Sequence, residues 1–253
     1  MNAIITHECS GMIRNEMRAL GINAWSCDLK QCADDSPHHI QGDALIAIDR
    51  GCPNGVGDFR WHIIIMHPEC TYLNGAGIHW NNRGRGWVHT HLALAHVMKC
   101  MSVATRAATI GWALENPVGI IGTKVRPADQ WIQPYEFGDD ASKKTGLWLH
   151  GLPCLKKGKM VRPRWICPQC GLVATHPEAL QWMDGQDNPR CTRCPWVAPK
   201  LRPRWSNQTD SGQNRLGPSE HRASDRARTY PGIARAMAEQ WGTLKTDHSF
   251  RLS

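Results

Sequence analysis

Apolar residues in the first 120 positions fall into short solid blocks, and between the blocks they recur at three- and four-residue intervals. Solid blocks of four to eight mark strands buried on both faces, and the wider recurrence marks amphipathic helices. Ala3 to Thr6 is the first block, and His7-Glu8-Cys9-Ser10-Gly11 follows as a tight turn. Met12, Ile13, Met17 and Leu20 then trace one helical stripe, which Gly21 stops. Asn23 to Asp28 predicts a second strand ending on an acid, and Ile40 to Asp43 gives a weaker third signal. Trp61 to Met66 is a buried strand ending at His67-Pro68. Val88 to Ile110 predicts a long helix, and Gly111 to Leu114 a strand running into Glu115-Asn116-Pro117.

Strands that alternate with helices predict an α/β fold built on a parallel, doubly wound, Rossmann-like sheet. Ligands of such sheets sit at the carboxyl ends of the strands. Glu8, Asp28, Asp43, Cys70 and Glu115 all follow predicted strands and should converge along that edge.

The pattern changes after about residue 130. Gln133 to Gly138 and Lys143 to Leu149 read as further strands and a loop. A cysteine-rich insert spans 165–196, flanked by the near-repeat Val161-Arg-Pro-Arg-Trp165 and Leu201-Arg-Pro-Arg-Trp205. Matching flanks suggest a module placed inside a pre-existing loop. Pro231 to Trp241 is an amphipathic helix that Pro231 can start. The expected organisation is a catalytic domain over 1–160 and 229–243, an insert over 161–205, a basic loop over 206–228 and a frayed tail over 244–253.

Composition sharpens this picture. At 41% apolar residues the chain can bury a core, which excludes global disorder. A net charge of +8 points to a polyanionic partner. No run of about 18 apolar residues is present, so no membrane span is expected. Without a secretory leader pattern, the eleven cysteines are expected in a reducing cytoplasm. Thiolate chemistry and metal ligation are then better readings than disulfides.

Cys167-Pro-Gln-Cys170 and Cys191-Thr-Arg-Cys194 are two CxxC knuckles about 20 residues apart, the spacing of a tetrahedral four-cysteine zinc site. A closed site of this kind is structural, supplying folding energy to a zinc-ribbon module too small for its own core. Arg162, Arg164, Arg193, Arg202 and Arg204 lie around it and are candidates for DNA phosphates or base edges. Arg83 and Arg85, in a glycine-rich loop, and Lys143 and Lys144 are further candidates. His89, His91 and His96 lie at helical spacing without an HExxH pattern and are read as non-catalytic.

The chemical signal lies in His67-Pro68-Glu69-Cys70-Thr71-Tyr72-Leu73 and Ala113-Leu114-Glu115-Asn116-Pro117. A cysteine held after a proline at a strand end, with a carboxylate at a neighbouring strand end, suits covalent pyrimidine chemistry. The thiolate adds to C6 and makes C5 nucleophilic, while the carboxyl group stabilises the adduct at N3. A base in a duplex must flip out to be reached.

These residues resemble the cytosine-C5 DNA methyltransferases, closest to compact phage-type members of that family. The resemblance covers most of the chain in order. It implies S-adenosylmethionine as cofactor, double-stranded DNA as partner, Cys70 as nucleophile and Glu115 as the partner carboxyl group. It puts Glu8, Ser10 and Gly11 in the first cofactor loop, Asp28 at the ribose, Asp43 at the adenine, and Pro68 in the nucleophile motif. It puts the zinc module in the place of the target-recognition region. Four departures stand out: a single glycine in the first loop, Glu69 for a second proline, Thr71 for a glutamine, and lysines for paired arginines. An amino-methyltransferase, an inactive zinc-ribbon DNA-binding protein and an enzyme of free nucleotides remain alternative readings.

Overall fold

The structure, a computed structural model, describes residues 1–54, 58–174, 189–194, 200–219, 225 and 228–244. Much of the expected cysteine-rich insert (175–188 and 195–199), part of the expected basic loop (220–224 and 226–227) and nearly all of the expected tail (245–253) lie outside the described residues. The chain divides into two compact units. The first comprises Met1–Ile132, Lys144–Lys156 and Ala227–Ser253, and the second Gln133–Lys143 and Lys157–Arg226.

The first unit is α/β, built on a seven-stranded sheet of order β3-β2-β1-β4-β5-β7-β6. Its strands are β1 (Asn2–Thr6), β2 (Asn23–Asp28), β3 (His39–Gln41), β4 (Ile63–Met66), β5 (Gly111–Pro117), β6 (Gln130–Ile132) and β7 (Thr145–His150). The first five in spatial order run parallel, and β7 lies antiparallel to both β5 and β6. The chain order reverses between β1 and β4, which is the switch point where doubly wound sheets open a crevice.

Alternation across the strands divides the core into two faces. Ile4, Ile64, Met66, Trp112 and Leu114 belong to one buried cluster, with Ala47 and Ile48 of α2 (Ala44–Arg50) and Val97, Cys100 and Ala104 of α4 (Val88–Ala107). On the opposite face α1 (Met12–Ala19) packs on β1 and β2, and α6 (Pro231–Trp241) packs on α1. Two short helical turns, α3 (Gly75–Ile78) and α5 (Ile121–Lys124), lie in the segments that follow β4 and β5. Tryptophan supplies much of the bulk that the three phenylalanines do not. Trp61, Trp148 and Trp241 are fully buried, and their indole N–H groups donate to the carbonyls of Ala47, Arg126 and Pro153. Each satisfied N–H removes the cost of burying the polar end of the ring.

The helix α1 departs from its predicted stripe. Leu20 is exposed, whereas Arg14 is completely buried. Its guanidinium donates to Ser26 Oγ at 2.6 Å and Cys32 Sγ at 3.2 Å, and pairs with Asp34. Burial works against the Asp34 carboxylate, but hydrogen bonds from Cys32, Asn15 and Arg14 outweigh it and hold its pKa well below the usual range. Hydropathy alone places an arginine outside, because it does not register a partner 20 residues away.

The second unit contains a three-stranded antiparallel sheet of order β10-β8-β9, from β8 (Arg164–Ile166), β9 (Val173–Ala174) and β10 (Arg202–Arg204). The two near-repeats pair with each other, Arg164 opposite Arg204 and Trp165 opposite Pro203. This brings together the two ends of the segment between them. The predicted strand at Gln133 to Gly138 is instead a 3-10 turn over Pro134–Phe137, capped reciprocally by Gln133 and Glu136. Pro134 has no N–H for a sheet ladder and its fixed φ suits the first turn of a helix.

Candidate active site and metal centre

At the switch point the ends of β1 and β4 are level with each other and with Leu114 inside β5. Thr6 pairs with Met66, and Met66 with Leu114. The residues that follow, His7, His67 and Glu115, therefore emerge side by side. His67 N–H also donates to the Thr6 carbonyl at 3.0 Å.

In the first loop, Glu8 is buried. Its Oε1 accepts from Ser10 Oγ at 2.5 Å and from Met12 N–H at 2.8 Å, so it caps the start of α1. Its Oε2 is buried with no hydrogen-bond partner. A buried carboxylate oxygen without a donor is costly, and it marks a place for a ligand donor or cation. Gly11 takes φ +70°, and a Cβ there would collide with the Arg14 guanidinium. The one glycine of this loop stands where backbone and packing both require it.

Asp28 ends β2, and its Oδ1 accepts from Lys30 N–H at 2.9 Å. Asp43 is exposed and caps α2 through bonds from the N–H groups of Leu45 and Ile46 at 2.8 and 3.0 Å. Its position therefore has a structural explanation apart from any cofactor.

The loops after β4 and β5 are tied together. Asn116 Nδ2 donates to the Pro68 carbonyl at 2.8 Å, with both residues buried. Ile120 N–H donates to the Leu73 carbonyl at 2.9 Å, and Gly119 lies so close to Leu73 that a Cβ would meet its oxygen at 2.0 Å. Cys70 is half-buried, and its carbonyl accepts from Leu73 N–H, Asn74 N–H and Asn74 Nδ2. Three bonds on one carbonyl fix the backbone of the candidate nucleophile. Glu115 Oε2 lies 2.8 Å from His67 Nδ1. His67 Nε2 and Asn116 Oδ1 are buried without partners.

The sequence places His67 and Asn116 inside the two motifs but assigns neither a role. His67 directly follows a strand end, so it could have been found by the rule that selected Glu115. The role of Asn116 depends on a contact 48 residues away in the chain, which no local pattern records.

Beside this edge, His7 Nε2 lies 2.9 Å from His96 Nε2, and Cys100 Sγ lies 3.4 Å from His96 Nε2. Burial pushes the His7 pKa down to about 4, reinforced by His96 and His67, and burial lowers that of His96 as well. Burial pushes the Cys100 thiol up to about 12.

In the second unit Cys167, Cys170, Cys191 and Cys194 have their sulfur atoms within 4.8 Å of one another. Cys170 N–H points to Cys167 Sγ at 3.5 Å, and Gly171 takes φ +71° to turn the knuckle. Four converging thiols fit a tetrahedral zinc ion and leave no open coordination position.

Of the basic candidates, Arg83, Lys144, Arg162, Arg193 and Arg202 are exposed. Lys144 lies over the Trp131 ring at 5.1 Å. Lys143 is half-buried, and its backbone N–H bonds Gln133 Oε1. Arg85 is held within its own loop, by Asn81, by the Gly77 carbonyl and over the Tyr72 ring. Arg164 donates to the Gln208 carbonyl, and Arg204 to the carbonyls of Asp210 and Pro203. These three arginines brace local structure as placed.

No protein-family model matches the sequence, and no curated protein is significantly similar to it. Among the described residues no helix is long and apolar enough to cross a membrane.

Proposed function

We propose that this chain is an S-adenosylmethionine-dependent DNA methyltransferase that acts on C5 of a flipped cytosine. One observation carries the reading: a buried acceptor (Glu8), a rigidly held cysteine loop (Pro68 to Cys70) and a carboxyl group (Glu115) share the carboxyl edge of a parallel sheet at its switch point.

Glu8 Oε2 suits the ammonium of an amino-acid moiety, which S-adenosylmethionine carries. Asp28, half-buried at the end of β2, suits a ribose diol. When bound, the cofactor supplies an electrophilic methyl group. The work of the protein is to make the ring nucleophilic. The Cys70 thiolate forms a bond to C6, and the electron pair of the C5–C6 double bond moves toward C5. Glu115 holds a proton at N3 and stabilises the charge that develops across the ring. His67 positions Glu115 through the 2.8 Å contact. Once C5 carries the methyl group, which the cofactor would give up by becoming a neutral thioether, loss of the C5 proton to water expels the Cys70 thiolate and restores the double bond. The exposed Arg162, Arg193 and Arg202 of the second unit suit DNA phosphates, and the four thiols suit the zinc that would hold that unit together.

Nucleoside mass spectrometry tests this directly. DNA from cells expressing the full chain is compared with DNA from cells expressing Cys70→Ala. The expected result is 5-methylcytosine that falls to background in the variant. Methylated adenine or N4-methylcytosine that survives the substitution would replace the reading with an amino-methyltransferase. Unmodified DNA from both would leave a binding protein or an enzyme of free nucleotides.

A further inference from the structure

We infer that His7, His96 and Cys100 form a second metal site, which takes zinc or a zinc-like divalent cation at the end of β1. The inference does not rest on the proposed function. His7 is the first residue after β1, and His96 and Cys100 lie one turn apart on the same face of α4. The three ligand atoms lie within 4.8 Å of one another. Among the described residues this is the one such group besides the four cysteines of the second unit.

The His96–Cys100 distance matches a coordination polyhedron, and the His7–His96 distance falls about 0.4 Å short of one. Zinc–nitrogen bonds of about 2.0 Å and zinc–sulfur bonds of about 2.3 Å place tetrahedral ligands about 3.3 Å (N to N) and about 3.5 Å (N to S) apart. The observed separations are 2.9 Å between the two Nε2 atoms and 3.4 Å from His96 Nε2 to Cys100 Sγ. The other nitrogen of His7 lies 3.1 Å from Thr6 Oγ1. A partner on that nitrogen fixes the ring and aims the opposite one, as ligating histidines require.

Backbone and field agree with the geometry. His7 adopts φ +58°, a left-handed conformation that a non-glycine residue rarely takes and that persists where its surroundings impose it. The negative charge of Asp43 acts on both His7 and His96 and favours a cation between them, while the positive charge of Lys99 near His96 opposes it. Without a metal, His7 and His96 share one N–H···N contact and the Cys100 S–H can donate to His96 Nε2 at 3.4 Å, an arrangement that links the groups only in pairs through His96. A cation uses all three groups. Three protein ligands leave one coordination position for water or another donor, unlike the closed four-thiol site.

The test counts metal. Purified full-length protein is equilibrated with excess Zn2+, freed of unbound ion by gel filtration, and analysed by inductively coupled plasma mass spectrometry. Two zinc ions per chain are expected for the wild type, and one for Cys100→Ser and for His96→Ala with unchanged circular dichroism. A wild-type content of one, or two in both variants, overturns the site. Should the variants fail to fold, Co2+ titration of the metal-free wild-type chain decides. Two equivalents with thiolate charge-transfer intensities of about four to one support the inference. Saturation at one equivalent overturns it.

Discussion

The two units bury their chains by opposite means. In the first, whole strands are apolar and inaccessible: Ile63 to Met66 are each at 0% exposure. In the second, Cys167, Cys191 and Leu201 form one buried cluster, with Trp165, Leu172 and Cys194 partly buried against it, and Phe137, Ala141, Ile166 and Ala174 are buried as well. Apolar burial contributes about 25 cal/mol per Å2, and ordering each residue costs about 1–2 kcal/mol. A sheet covered by helices on both faces meets that cost with its own core. Three short strands with so few buried side chains do not, and four thiols that could hold a metal ion stand where a larger core would be.

Metal removal should separate the two units most sharply. Structural zinc contributes on the order of 10–16 kcal/mol in small modules. Chelation, or Cys191→Ser, is expected to abolish amide protection over 164–174, 189–194 and 200–204 while β1, β4 and β5 keep theirs. Hydrogen exchange followed by mass spectrometry reads both units in one experiment. Persistent protection in the second unit without metal would show that its described core is sufficient.

The complementary substitution is Ile64→Ala, in the centre of the sheet. A cavity there should cost about 2–5 kcal/mol, and each kcal/mol lowers Tm by roughly 2–4 °C in a domain of this size. Zinc content of the second unit should not change. A parallel loss of zinc would mean that the units fold as one.

A smaller effect separates polar from apolar support within the first unit. Arg14 is wholly buried, whereas the Asp34 side chain is 36% exposed, so solvent screens their pair. Asp34→Asn should cost about 1–2 kcal/mol at neutral pH, below the roughly 3–5 kcal/mol for breaking a fully buried pair. Because the folded-state pKa of Asp34 is depressed, its contribution is complete above the unfolded value near 4 and declines as pH falls further. Urea melts at several pH values should show wild type and variant converging in acid. A gap that stays constant below about pH 4 would remove the ion pair as its cause.

Much of the first unit was legible in the chain. The strand Asn23–Asp28 and the helix Pro231–Trp241 fall at their predicted limits, because a solid block or a stripe begun by proline is a local signal. The helix that Asp43 caps went unread, since its seven residues are too few to establish a period. The strand β6 escaped for a similar reason, being three residues long. The four-cysteine cluster was legible from spacing alone, because knuckle geometry restricts which residues can share an ion.

The sequence by itself determined the alternation of strand and helix, the acid-tipped strand ends and the pairing of the CxxC knuckles. All three are periodic or short-range, and neighbouring residues carry them. Only the tertiary structure decided that Glu115 meets His67, that Asn116 holds Pro68, that Arg14 is buried on Asp34 and that His7 lies against His96. Those contacts join residues 20 to 89 positions apart. They arise from strand register and helix packing, which place side chains by their position in the sheet and not by their neighbours in the chain.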